Sequence, residues 1–212
     1  MPSEDRPPLL RDALEAFSKL LDLSGKKGMV IGGVAYAVWG QPRSTDDVDG
    51  VILAWDQDIP QLLQCARRLG LESRLPKAEE YARKSKMLLL RHQASGTKLD
   101  ISLAWSPFES EAISRSHSIG WQGFSFPVIG PEDLIIFKLV ASRPQDLADI
   151  DKLLGVQTKL DRKRIQKIAG EFAVALDRPE ILANWENLLQ RSRPKKERKT
   201  RRKKSKSSAD KR

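Results

Sequence analysis

One cysteine, Cys65, is all the sequence contains, and its two histidines, His92 and His117, stand far apart. A single thiol forms no internal disulfide, and no Cys/His pair has the spacing of a zinc site. The disulfide-stapled class of small secreted scaffolds is therefore excluded, and a reducing cytoplasm is the expected location. Long apolar runs are missing too: nothing approaches the ~20 residues that span a bilayer. The opening Met1-Pro2-Ser3-Glu4-Asp5-Arg6 is acidic where a signal peptide is basic and then apolar. No membrane partner is expected, and no internal repeat is visible. What remains is 212 residues that are 40% hydrophobic, enough for one or two folded units.

The formal net charge of +10 is not spread along the chain. Residues 191–212 carry 13 Lys/Arg against Glu197 and Asp210, whereas residues 1–190 carry 25 basic and 26 acidic groups. The body is neutral and the tail is the cation. A block of like charge without apolar periodicity cannot bury enough surface to offset chain entropy, so residues 191–212 are expected to be disordered.

Residues 9–23 place Leu10, Leu14, Phe17 and Leu21 at helical spacing. A short apolar strand over 28–31 is broken by Gly32-Gly33 before a buried helix over 34–39. Residues 47–54 read as an interior strand, apolar on both faces beyond its start. Asp58 is the expected N-cap of a helix carrying Leu62, Leu63, Ala66 and Leu69. Residues 87–91 and 98–103 flank Gln93-Ala94-Ser95-Gly96 as a hairpin, with Leu99, Ile101 and Leu103 on one face and Lys98, Asp100 and Ser102 on the other. After residue 130 the pattern turns helical, over 131–140, 144–154, 161–176 and 179–189, with Pro leading the first two. The expected class is α+β, a mixed sheet flanked by helices over 1–130, a small helical subdomain over 131–190 and the basic tail over 191–212.

Asp47 and Asp49 sit two apart on a strand, so their side chains leave the same face. Asp100, on the polar face of the later strand, is the candidate third carboxylate. Phosphoryl and nucleotidyl transfer calls for oxygen ligands on Mg²⁺ or Mn²⁺, with two ions ~4 Å apart clamping the attacking and leaving oxygens. Gly32 and Gly33 let backbone N–H groups approach a triphosphate at the positive end of the following helix. Arg43 and Thr45 are placed to add a charge-assisted and a hydroxyl contact.

Gly32-Gly33, thirteen intervening residues, Asp47-Val48-Asp49 and a later Asp100 resemble the polymerase-beta-like nucleotidyltransferase superfamily. Within it, Arg43-Ser44-Thr45-Asp46-Asp47-Val48-Asp49 is similar to the Arg-x-Thr-x-Asp-x-Asp run of AbiEii-type toxins and related minimal nucleotidyltransferases. Residues 138–149, from Lys138 through Arg143, Asp146 and Asp149, look like their downstream helical motif, with Pro144-Gln145 where those toxins usually carry a second arginine.

The resemblance implies a nucleotidyltransferase fold. It also implies metal on Asp47, Asp49 and Asp100, a nucleoside triphosphate facing Gly32, Gly33, Arg43 and Thr45, and work at the nucleotide or acceptor by Lys138 and Asp146. The activity it implies is transfer of a nucleoside monophosphate to a hydroxyl of RNA, transfer RNA included, or of protein, as the toxin of a toxin–antitoxin system with an antitoxin protein as partner. The alternative is a catalytically inactive nucleotide-sensing or RNA-binding module on the same fold.

Other conspicuous residues have plainer readings. The five tryptophans are expected in the core or between subdomains, with Trp105, just past the Asp100 strand, as the best exception. Cys65 follows the apolar face of its helix and is expected to be buried and inert. The tail is a solubilising extension, a localisation or membrane-surface patch, or a nucleic-acid arm. Lysine and arginine without aromatics favour salt-sensitive phosphate binding, and RNA is the favoured partner.

Overall fold

The computed structural model describes residues 10–42 and 44–192. Arg43 and nearly all of the basic tail lie outside the described residues. The chain divides into two compact units, one ending at Leu134 and the other beginning at Ile135.

In the first unit, helix α1 (Leu10–Ser24) buries Leu14, Phe17, Leu20 and Leu21 along one stripe. It stops where Ser24 Oγ donates back to Leu20 O at 2.6 Å and Gly25 takes φ +65°. Strand β1 (Gly28–Val30) is one residue shorter than expected, because Ile31 becomes the N-cap of α2 (Gly32–Trp39). The glycine pair is thus the first turn of the helix, not a break ahead of it. Strand β2 (Asp47–Ile52) ends two residues early, before a 3-10 turn at Asp56–Asp58 and helix α3 (Ile59–Arg68). Asp58 stands at the N-cap position of α3 as expected, but its side chain makes no capping hydrogen bond there. Its carboxylate accepts the Trp55 N–H at 2.8 Å and pairs with Lys26 at 2.8 Å, closing the 3-10 turn. Cys65 is buried, in line with its place on the apolar face of the helix.

Strand β3 (Leu71–Ser73) and helix α4 (Ala78–Ser85) lead to the hairpin β4 (Met87–His92) and β5 (Lys98–Leu103). Helix α5 (Pro107–Ser114), strands β6 (His117–Trp121) and β7 (Phe124–Val128) and helix α6 (Pro131–Ala141) follow. Five of these elements, β3, α4, α5, β6 and β7, were not legible in the sequence. Each is short, and α4 buries only Ala82 while β6 buries nothing, so apolar periodicity has little to mark.

Among the described residues seven strands form one mixed sheet in the order β3-β4-β5-β2-β1-β7-β6. β2 runs parallel to β5 and antiparallel to β1, which places it in the interior. Successive strand residues point to opposite faces. One face carries Val48, Leu88, Leu90, Leu99 and Ile101, all buried, and receives α1: a Cβ on Gly50 would lie 2.7 Å from the Phe17 ring, so glycine lets the helix seat there. The opposite face carries Asp47 and Asp49, with Lys98 and Asp100 directly across on β5.

Trp55 departs from the expected burial of the tryptophans, and Trp105 is exposed as the expected exception. Trp185 is fully buried, but Trp55 is 59% and Trp105 is 72% exposed. Both lie just past the paired strand ends Ile52 and Leu103.

In the second unit, α7 (Pro144–Val156), α8 (Arg162–Ala175) and α9 (Glu180–Ser192) follow the last turns of α6. Gly155 lies inside α7, where the sequence suggested a stop. Asp161 caps α8 by accepting the Arg164 N–H at 2.9 Å. Ile165, Ala169, Ile181, Trp185 and Leu188 are buried side chains of α8 and α9.

Candidate nucleotidyl-transfer site

The polar face of β2 meets the start of α2. Ile31 N–H donates to Asp49 O at 2.9 Å, which carries the β1–β2 pairing up to the helix. Gly32 takes φ +62°, and a Cβ there would fall 1.9 Å from Asp49 Oδ2. Residue 32 must be glycine both for its dihedral and because the Asp49 carboxylate occupies the space a side chain would take. The first helical hydrogen bond of α2 is Ala35 N–H to Ile31 O at 3.3 Å, so the N–H groups of Gly32, Gly33 and Val34 precede it at the positive end of the helix. Asp47 shares the face of Asp49, two residues away.

Asp49 and Asp100 are register partners on parallel strands, so two carboxylates of like charge face one another. Arg74 answers this: its guanidinium forms an ion pair with Asp100. No sequence signal marks Arg74, which lies just after the three-residue edge strand β3. Among the described residues no three His, Cys, Asp or Glu side chains are gathered to hold a metal ion. The pairing of β2 with β5 brings Asp47, Asp49 and Asp100 to one face of the sheet, and Asp100 is engaged there by Arg74. The donor chemistry of Asp47 and Asp49 still suits a hard divalent ion, which takes one or two carboxylates together with substrate phosphates.

Thr45, expected to face the triphosphate, donates its hydroxyl to Asp47 O at 3.3 Å and so shapes the entry to β2. Arg43 falls outside the described residues. A largely apolar pocket of about 370 Å³ lies beside this loop, lined by Leu14, Val34, Val38, Thr45, Trp121 and Phe126 among others.

Lys138, Asp146 and Asp149 form a cluster of their own in the second unit. Lys138 Nζ lies 3.2 Å from Asp146 Oδ1 and 2.8 Å from Asp149 Oδ2. Arg143 Nε donates to Asp146 Oδ2 at 2.6 Å, and Gln145 Nε2 donates to Asp149 Oδ1 at 2.8 Å. Burial by itself raises the Asp146 pKa, but the Arg143 hydrogen bond and the charge and hydrogen bond of Lys138 outweigh it and hold the carboxyl below its ordinary value. Lys138, for which the resemblance implied work at the nucleotide or acceptor, has carboxylate partners within its own unit.

A mixed sheet bearing an Asp-x-Asp strand against a glycine-led helix is the architecture of nucleotidyltransferases. The family described as nucleotidyl transferase AbiEii toxin, type IV toxin–antitoxin system, matches residues 21–210. The chain belongs to that family and is a nucleotidyltransferase. No curated protein matches it.

Among solved structures it is similar to an antigenic nucleotidyltransferase-like protein from Paracoccidioides brasiliensis, at 16% identity and a TM-score of 0.50 over 87% of this chain and 94% of that one. It also matches the lincosamide antibiotic adenylyltransferase LnuA, at 14% identity and a TM-score of 0.46 over 70% of this chain and 98% of that one. A third match is MenT4, a nucleotidyltransferase toxin from Mycobacterium tuberculosis H37Rv, at 16% identity and a TM-score of 0.43 over 76% of this chain and 62% of that one.

Proposed function

We propose that this protein transfers a nucleoside monophosphate from a nucleoside triphosphate to a hydroxyl of RNA, as the toxin of a toxin–antitoxin pair acting in the cytoplasm. The observation that carries the reading is the close approach of the Gly32 turn to the Asp49 carboxylate, with Asp47 on the same face. It sets backbone N–H groups for phosphate beside carboxylates for a metal. A divalent ion, Mg²⁺ or Mn²⁺, held by Asp47 and Asp49 would offset the negative charge of the triphosphate and polarise the phosphorus under attack.

In the transfer, the acceptor oxygen bonds to the α-phosphorus as the bond to pyrophosphate breaks. Asp100 Oδ1 is engaged by Arg74, so the hydroxyl proton passes to Oδ2. The N–H groups of Gly32 and Gly33 steady the departing phosphates. The pocket beside Thr45, largely apolar and about 370 Å³, has the size and lining a nucleobase needs. Lys138 serves by holding α6 to α7 through Asp146 and Asp149, which fixes those helices without taking part in the chemistry. The basic segment 191–212 raises the local concentration of RNA while the site selects the reacting hydroxyl.

The test is label transfer from each α-labelled triphosphate, with Mg²⁺ or Mn²⁺, to total RNA or cell protein. Label in RNA with wild type and none with Asp47→Asn supports the reading. Label in protein alone would move the acceptor class, and label in neither would leave a nucleotide- or RNA-binding module.

A further inference from the structure

The register of the sheet sets four residues in one row. Asp49 pairs with Asp100, and Asp100 pairs with Leu89. Arg74 N–H donates to Leu89 O at 2.9 Å, one residue beyond the last β3–β4 register pair. Residues directly opposite one another across strands share a face, so Arg74, Leu89, Asp100 and Asp49 stand on the same side of the sheet. Neighbouring strands are ~4.8 Å apart. From two strands away, only a long side chain laid over Leu89 reaches Asp100, and Arg74 does so, with its side chain 21% exposed. Its Nε is buried and has no hydrogen-bond partner among the described residues, so the guanidinium is held at one end and keeps an unused donor.

The charge on this face explains the need for a cation. Asp47 stands across from Lys98, but Asp49 and Asp100 oppose each other directly, and directly opposed like charges are destabilising. A site that holds two divalent ions would neutralise them with metal. Here the carboxylate on β5 is paired with a cation of the protein itself.

We propose that Arg74 takes the place of a second metal ion, so that one divalent ion on Asp47 and Asp49 serves the site and the guanidinium on Asp100 provides the other positive charge. The inference rests on the reading of Asp47 and Asp49 as a metal-nucleotide site. Its consequence is chemical: the guanidinium, with donors to spare, is a fixed cation that cannot be stripped by a chelator. The acceptor hydroxyl would approach an arginine-bound Asp100 in place of a metal-bound oxygen.

The experiment counts Mn²⁺ ions per chain, by calorimetry and by electron paramagnetic resonance of free Mn²⁺, on the full chain saturated with a non-hydrolysable triphosphate analogue. Wild type is expected to bind one ion, Arg74→Met two and Arg74→Lys one, since lysine keeps the charge. Asp100→Asn is expected to bind one ion with wild-type affinity, which keeps the test open if Arg74→Met does not fold. Asp49→Asn should weaken the single ion at least tenfold. Two ions on wild type, one ion on folded Arg74→Met, or a tenfold loss of affinity in Asp100→Asn overturns the inference while leaving the metal-nucleotide site standing. No ion on wild type overturns both.

Discussion

Lys138 Nζ lies 2.8 Å from Asp149 Oδ2, and the two residues are only 6% and 0% exposed. With Asp146 also buried, the lysine is the enclosed cation between two carboxylates, and Arg143 reaches Asp146 from the outside. Replacing Lys138 with methionine keeps the volume and removes the charge. The expected cost is roughly 3–5 kcal/mol, the range for breaking a buried ion pair from one side. Denaturant unfolding measures it. An unchanged midpoint would mean the carboxylates do not depend on this lysine.

The pH dependence of that cluster has a definite sign. Asp146 is held below its ordinary value of 3.8, so the stability it contributes is fully present above that value and fades as pH falls through the lower value of the folded state. Wild type should therefore lose more unfolding free energy between pH 5 and pH 3 than Asp146→Asn does. Parallel curves for the two proteins over that interval would contradict the assignment.

Gly32→Ala places a methyl group 1.9 Å from Asp49 Oδ2 on a backbone with φ +62°. The left-handed conformation alone costs about 1–2 kcal/mol for a residue with a Cβ. The carboxylate must also move, so transfer should fall far more than thermal stability. Nucleotidyl transfer and thermal unfolding of the same preparation separate the two effects. Full activity would remove Asp49 from the metal site.

Asp47→Asn takes one negative charge from a face where Asp49 and Asp100 already oppose each other. The expected outcome is a melting temperature no lower than wild type. Transfer should drop by about a hundredfold or more, in keeping with the several kcal/mol a bound metal supplies. A fall in both by similar free energies would show a structural role instead.

Deleting residues 193–212 removes most of the cationic block. RNA affinity should fall, and the slope of log affinity against log salt should shrink by ~0.7 for each single-strand phosphate that the tail had neutralised. Fluorescence anisotropy at several salt concentrations reads this. Nucleotide binding should be unchanged, because Gly32, Asp47 and Asp49 lie within the first unit.

Elements whose signal is local were legible before any folding was considered. Leu14, Phe17 and Leu21 mark α1 because helical spacing brings them to one stripe. The alternation of Leu99, Asp100 and Ile101 marks β5 because strand side chains alternate. Asp47 and Asp49 were legible as a same-face pair for the same reason, whereas the glycines ahead of them read as a break and are the first turn of α2. The family motifs added order and spacing to those local signals.

Whatever depends on register between distant segments came from the folded chain instead. That Asp49 faces Asp100 follows from β2 pairing parallel to β5, two segments about fifty residues apart. That Arg74 takes Asp100 follows from an edge strand too short to show a period. Lys138 illustrates the same limit: its spacing to Asp146 and Asp149 was visible, but whether its charge meets phosphate or carboxylate depends on how α6 packs on α7. Periodicity reports which face a side chain leaves by, and packing alone reports what stands opposite it.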